Sequence, residues 1–271
     1  MTFNEKLEFA MEKHNSLVCV GLDPDLKLMP EGISVTDFNK KIIDATADLV
    51  CAYKPNFAFY EALGDEGIAA LKATIKYVPK GIPVIGDAKR ADIGNTARGY
   101  ARAVFDIFNV DAVTVNPYLG LDSIEPFREY KDRGIFLLCR TSNSGAMDFQ
   151  SLNCEMPDKT KRPLYLIVAD KAKAWNIYGN IGLVVGATYP EELKQIRDNN
   201  PDMNFLIPGV GAQGGEVEKT VRFGVNSRGK GAVINSSRGV IYASKGKDFA
   251  ESARKAALAL RNQINSFRPA A

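Results

Sequence analysis

Short, wholly apolar runs alternate along this chain with longer stretches in which apolar residues recur every three or four positions. Eight of the short runs stand out. LVCVGL (17–22), VCAYK (50–54), IPVIGD (82–87) and AVTVN (112–116) occupy the first half, and IFLLCR (135–140), GLVVGA (182–187), FLIPGV (205–210) and AVINSS (232–237) follow. Each is rich in β-branched residues and ends in polar or glycine-containing sequence, as a strand buried on both faces does. Helical spacing fills the intervals. Ala97, Tyr100, Ala101, Val104, Phe105 and Phe108 mark one apolar face; Phe38, Ile42, Ala45 and Leu49 form another behind a capping Thr36. Phe249, Ala253, Ala256, Leu260 and Ile264 give the last helix its inward stripe. No Pro/Gly/Ser linker divides the series. It predicts an α/β fold, a closed (β/α)8 TIM barrel forming a single domain over residues 1–271. A doubly wound open sheet is the competing arrangement. Two segments break the rhythm: 143–162, a long polar connection read as lid-like, and 223–231, FGVNSRGKG, before the eighth strand.

Composition narrows the classes. The 271 residues are 45% apolar, enough for a full core, and 35 basic against 32 acidic side chains leave a net charge of only +3. That balance, without any Lys/Arg block interleaved with aromatics, argues against a nucleic-acid partner. No run approaches the roughly 18 apolar residues of a membrane span, and MTFNEKLEFAMEKHN lacks the apolar centre of a signal peptide. The expectation is a soluble, cytoplasmic protein with no membrane partner. Cys19, Cys51 and Cys139 fall inside strand runs and Cys154 in a polar loop, with no CxxC or Cys/His spacing for zinc, so they read as thiols in a reducing compartment. The single histidine, His14, falls on a polar helix face. Any catalysis must therefore rest on Asp, Glu, Lys, Ser or Arg.

Charge gathers where it should be scarce. In GDAKRADIGNTA (86–97), Asp87 and Lys89 sit two apart on a strand and project to one side, with Asp92 at the start of the next helix. Lys54 ends the second strand in AYKPN, and Asp23 ends the first in GLDPD. On a barrel these five groups would converge at the C-terminal mouth. A purely structural ion-pair network is the plain alternative, but desolvation costs several kcal/mol per buried ion, which makes stability a weak reason for so many charges. Preorganised charge at a catalytic or ligand site is the better one. FLIPGVGAQGG carries G-x-G-x-x-G at Gly209, Gly211 and Gly214, but no acidic residue follows about 20 positions on, where a dinucleotide fold needs one. It reads instead as a phosphate cradle. Backbone N–H groups, the Gln213 amide and the Arg238 guanidinium would grip the oxygens between the loops after strands seven and eight.

These motifs, D-x-K-x-x-D at Asp87, Lys89 and Asp92 followed by Ile93 and Thr96, with GLDPDL, YKPNFAFYEALG, RTSNSGA, PGVGAQGG and SSRG, run in consistent order from about 17 to 245. The chain resembles the orotidine 5′-phosphate decarboxylases, most closely the bacterial branch with longer loops. The resemblance implies a homodimeric barrel, with active sites at the subunit interface, that converts orotidine monophosphate to UMP and carbon dioxide without metal or organic cofactor. It implies that Lys89 protonates C6 of the pyrimidine, that Asp87 lies beside the departing carboxylate, and that Lys54 completes the charged array. Asp92 and Thr96 would be lent by the partner subunit toward the ribose, whose hydroxyls Asp23 would also bind. Ser142 would contact the pyrimidine amide, with Ser144 close by in the same stretch, and Gln213 and Arg238 would hold the phosphate. Two rivals stand beside this reading. A metal-dependent sugar-phosphate decarboxylase or aldolase shares the strand-three motif, but those relatives tend to carry a magnesium-binding carboxylate where this chain has Lys54. A non-catalytic nucleotide-binding module would use the same charges for grip alone.

Overall fold

The computed structural model describes residues 1–210 and 216–269. Its strands, in chain order, are β1 (Val18–Leu22), β2 (Ala52–Pro55), β3 (Ile85–Arg90), β4 (Ala112–Val115), β5 (Gly134–Arg140), β6 (Asn153–Glu155), β7 (Lys161–Pro163), β8 (Ile181–Val185), β9 (Phe205–Ile207) and β10 (Ala232–Ser236). Eight of them form a parallel sheet in the order β2-β1-β10-β9-β8-β5-β4-β3. Bridges from Tyr53 to Val84 and from Asn56 to Asp87 join β2 to the β3 region, and the Tyr53 N–H donates to the Pro83 carbonyl at 3.0 Å. The sheet is thus a (β/α)8 barrel, not an open doubly wound sheet. β1, β2, β4 and β8 are buried along their whole lengths, because barrel interior and helical ring cover opposite faces.

One end of the barrel is plugged. The helix Phe3–Lys13 opens with a capping box between Thr2 and Glu5 and lies across the starts of the strands. The Phe3 ring meets Phe136 edge-on, centroids 5.7 Å apart. Lys6 pairs with Asp111, just before β4, at 2.8 Å, and Asn4 donates to the Gly179 carbonyl, just before β8, at 2.7 Å. Gly134 permits this docking: a Cβ there would sit 2.3 Å from a Phe3 ring carbon. The opposite end, where the strands finish, is left to form the cavity.

Several local expectations are corrected. Thr36 is not the cap of the helix Val35–Thr46; Ser34 is, its hydroxyl accepting from the Asp37 N–H. In the last helix, Phe249–Phe267, Ala257 and not Ala256 is buried. Tyr100 points outward, where the Arg90 guanidinium covers its ring at 5.5 Å, and the helix Gly94–Arg102 runs on into one π turn, Ala103–Ile107. His14 is half-buried at the C-cap of the first helix, with Nδ1 2.7 Å from the Val50 carbonyl oxygen. The polar connection 143–162 contains the antiparallel hairpin β6–β7, which places Cys154 on a strand. Its turn falls in MPDKT, where Thr160 donates its N–H to Asp158 Oδ1 at 3.0 Å and Lys159 sits at φ +65°. Cys19, Cys51 and Cys139 are buried and all four cysteines are free. Among the described residues no helix is long and apolar enough to cross a membrane.

Candidate active site

A cavity of about 700 Å³ opens at the C-terminal ends of the strands. Its charged wall is built from β1, β2 and β3. Asp87 lies on β3 with only 8% of its surface exposed, and its two carboxylate oxygens are divided between two ammonium groups. Lys54 Nζ, from β2, donates to Oδ2 at 2.9 Å, and Lys89 Nζ donates to Oδ1 at 2.5 Å. The two lysines differ in access. The Lys54 side chain is 5% exposed, whereas that of Lys89 is 48% exposed and stands in the mouth. Asp23, just past β1, also lines the cavity, where its Oδ1 accepts the Asn56 N–H at 3.2 Å.

The charge states follow from this packing. Burial pushes the Asp87 carboxyl up, but the charges of Lys54 and Lys89 and their hydrogen bonds outweigh it and hold the group well below the usual carboxylate range. Burial opposes the charge of Lys54, and the facing Asp87 and Asp23 overcome that penalty and raise its pKa above the ordinary lysine value. Lys54 and Asp87 therefore form a buried ion pair, with the half-exposed Lys89 ammonium fixed to its outer side.

The remaining wall is of another character. Leu138, Val184, Leu206 and Pro208 give it an apolar face, and Ser142 and Asn143, beyond β5, add polar groups. Gln150, from the 143–162 segment, is clamped to the end of β5. Its Oε1 accepts the Thr141 N–H at 2.8 Å and its Nε2 donates to the Thr141 hydroxyl at 2.9 Å. The segment is thus tied to the rim and contributes Gln150 to the wall. At the far side, Gly209 and Arg238 line the cavity after β9 and β10. Gly209 takes φ +95°, a backbone state that favours glycine, and Arg238 begins the short helix Arg238–Ile241 with an exposed side chain.

The sequence model of the orotidine 5′-phosphate decarboxylase / HUMPS family matches residues 16–255. The chain belongs to this family. It is 57% identical to the orotidine 5′-phosphate decarboxylase of Dehalococcoides mccartyi, over 99% of both chains, and 49% identical to that of Ralstonia pickettii, over 99% of this chain and 100% of the other. Its fold superimposes on that of Leishmania donovani OMP decarboxylase with a TM-score of 0.87 at 40% identity, covering 99% of each.

Placed in this orotidine 5′-phosphate decarboxylase family, the residues singled out from the sequence sort as follows. Asp23, Lys54, Asp87, Lys89, Ser142 and Arg238 share one cavity. Ser144 starts a 3₁₀ turn, Ser144–Asp148, and is not on the cavity wall, so of these two serines Ser142 is the one that lines the cavity. Asp92 does not converge with the other charges. It precedes the helix Gly94–Arg102, its carboxylate accepts the Ile93 N–H at 2.8 Å, and neither it nor the exposed Thr96 lines the cavity of its own chain. Gln213, Gly211 and Gly214 lie outside the described residues. Among the described residues no cluster of three or more His, Cys, Asp or Glu side chains is placed to hold a metal ion. Asn56, Thr114, Gln150 and Tyr242 were missed. Thr114 had left a signal: a hydroxyl in the middle of the apolar run AVTVN.

Removing the central carboxylate should be costly. Asp87→Asn leaves Lys54 buried without its counter-ion, so stability near neutral pH should fall by about 3–5 kcal/mol. Its pH profile should change as well. Because the folded-state pKa is depressed, ionised Asp87 contributes stability that is complete above the ordinary carboxylate value of 3.8 and lost as pH falls below it. Thermal melts from about pH 7 to about pH 3 should show a shallower acid decline in the variant. A variant as stable as the parent at neutral pH would contradict this role.

Proposed function

We propose that Lys89 is the acid that delivers a proton to C6 of the pyrimidine, and that two protomers share each active site. The reaction follows from family: the chain is an orotidine 5′-phosphate decarboxylase of pyrimidine biosynthesis. The observation that carries the mechanistic reading is the Lys54–Asp87–Lys89 array on the wall of the cavity that also holds Arg238.

The carbon–carbon bond between C6 and the carboxylate breaks, its electron pair stays on C6, and carbon dioxide departs. The pair lies in the ring plane, where no enolate can delocalise it, and Lys89 Nζ supplies the proton that completes the C6–H bond. Lys89 then recovers a proton from solvent through the open mouth. Asp87, held ionised, faces the departing carboxylate and holds the Lys89 ammonium beside it through their ion pair at 2.5 Å. Lys54 balances Asp87 from beneath. A charge pair at about 4 Å is worth about 4 kcal/mol at an effective dielectric near 20, a fraction of the up to about 23 kcal/mol that enzymes supply. The balance is assigned to remote binding: Arg238 and Gln213 hold the phosphate, Asp23 the ribose hydroxyls and Ser142 the pyrimidine amide, so that binding energy presses the base against the charges. No metal or organic cofactor enters this scheme.

The shared site rests on Asp92 and Thr96, which do not line the cavity of their own chain. Exposed apolar side chains follow the ends of β3 and β4: Ile93 is 55% exposed, Tyr118 80% and Leu119 48%. The ends of β3 and β4 that carry this surface are tied by the Asn116 N–H to the Arg90 carbonyl at 3.0 Å. Such a patch suits a homodimer interface, from which each protomer reaches its partner's ribose site with Asp92 and Thr96. In this reading residues 1–271 are one barrel domain working in the cytoplasm, a reducing setting that fits four free cysteines.

Mixing tests both claims. Lys89→Ala and Asp92→Ala homodimers should each be inactive. Under a two-fold axis, random exchange makes half the dimers hybrids with one intact site each, so equal mixing should restore about a quarter of parental activity. Confirmed subunit exchange with no recovery would count against sharing.

A further inference from the structure

Three residues of β3 stand opposite one residue of β4. Gly86 is in register with Val113 and Arg90 with Val115, so residues 87–89 bulge out against Thr114 alone. Bulges beside active sites re-aim side chains at the cost of ladder hydrogen bonds. Here the bulge carries Asp87 and Lys89, and it places Lys89 at φ +46°, a left-handed conformation that a long L side chain rarely adopts and that costs of order 1–3 kcal/mol. Something must hold it.

Thr114 does so with one oxygen. Its side chain is buried, 1% of the residue being exposed, and its hydroxyl makes two bonds. As acceptor it takes the Lys89 N–H at 3.0 Å, replacing the ladder bond that the bulge removes. As donor it reaches Asp87 Oδ1 at 2.9 Å, the same oxygen that Lys89 Nζ touches. The ladder resumes beyond it, where the Asn116 N–H reaches the Arg90 carbonyl at 3.0 Å.

We infer that Thr114 is a positioning residue for the decarboxylation, the peg that fixes the β3 bulge and so aims the Lys89 ammonium and the Asp87 carboxylate at the reacting carbon. This rests on the proton-donor role given to Lys89. When Lys89 turns its ammonium from Asp87 to C6, the carboxylate keeps the Thr114 hydroxyl and Lys54, so the array holds its shape through the step. A mere strand-filler would need only the volume of the side chain, which valine supplies.

Thr114→Val removes both bonds and keeps the shape; Thr114→Ser keeps both bonds and sheds a methyl group. The valine variant should lose roughly 10²-fold in kcat, the cost of an ångström-scale misplacement of catalytic groups. Its affinity for UMP, measured by calorimetry, should stay within about threefold, because phosphate and ribose contacts are untouched. The serine variant should keep kcat within about threefold of the parent. Parental kcat in Thr114→Val would overturn the inference. So would a folded Thr114→Ser enzyme that loses 10²-fold in kcat, a result that remains decisive should the valine variant fail to fold. Lys89→Ala assayed alongside separates the two claims: turnover there defeats the proton-donor reading itself, whereas a dead Lys89→Ala with an unimpaired Thr114→Val defeats only the peg.

Discussion

Lys89→Ala should lower kcat by at least about 10⁴-fold while UMP affinity changes less than about tenfold. The substitution deletes the ammonium group nearest the cavity mouth, and with it both the proton that C6 needs and the positive charge that steadies the developing pair of electrons. The fold should survive. The Lys89 side chain is half exposed, 48%, so its ion pair adds little to stability, and Asp87 retains Lys54 at 2.9 Å and the Thr114 hydroxyl at 2.9 Å. The loss should therefore fall on the chemical step. Turnover followed by the change in pyrimidine absorbance, with calorimetric binding of UMP in parallel, separates chemistry from grip. Residual kcat above about a tenth of the parent would remove Lys89 from the proton-donor role.

Arg238→Ala should act at the other end of the substrate and in the opposite kinetic parameter. A guanidinium gripping phosphate makes charge-assisted, bidentate bonds, and losing bonds to a charged group costs about 1.5–3 kcal/mol each. KM should rise about 10²-fold, with kcat falling by less than about tenfold. The side chain begins the short helix Arg238–Ile241 at the end of β10 and lines the cavity, whereas the Lys54–Asp87–Lys89 array stands on β2 and β3. On the sheet, β1 and β2 separate β10 from β3, so the substitution leaves the reacting groups in place. An unchanged KM would argue against the phosphate cradle.

The contrast between the two variants expresses how the molecule divides its labour. Ions that are costly to bury are held by one another on one side, and an exposed cation waits for an anion on the other. Burial explains the asymmetry. Lys54 and Asp87 cannot leave their pair without stranding a charge in the core, but Arg238 is free of that constraint and available to a ligand.

Much of this was legible in the chain alone. Eight apolar runs became eight strands because a strand buried on both faces admits few polar residues, and the charges at 23, 54, 87 and 89 stood out because they broke that rule at strand ends. D-x-K-x-x-D pointed two of them to one side, but by regular strand alternation, whereas the β3 bulge and the left-handed Lys89 backbone are what bring them together. What the sequence did not determine depends on neighbours distant along the chain. That Thr114 opposes three residues of β3 is a matter of register between strands. That Asp92 stays off the wall of its own cavity depends on where the helix Gly94–Arg102 starts. That Gln150 serves as wall depends on the hairpin folding back onto β5. Periodicity reports which face of an element is buried; only the packed barrel decides which two elements meet, and at which residue.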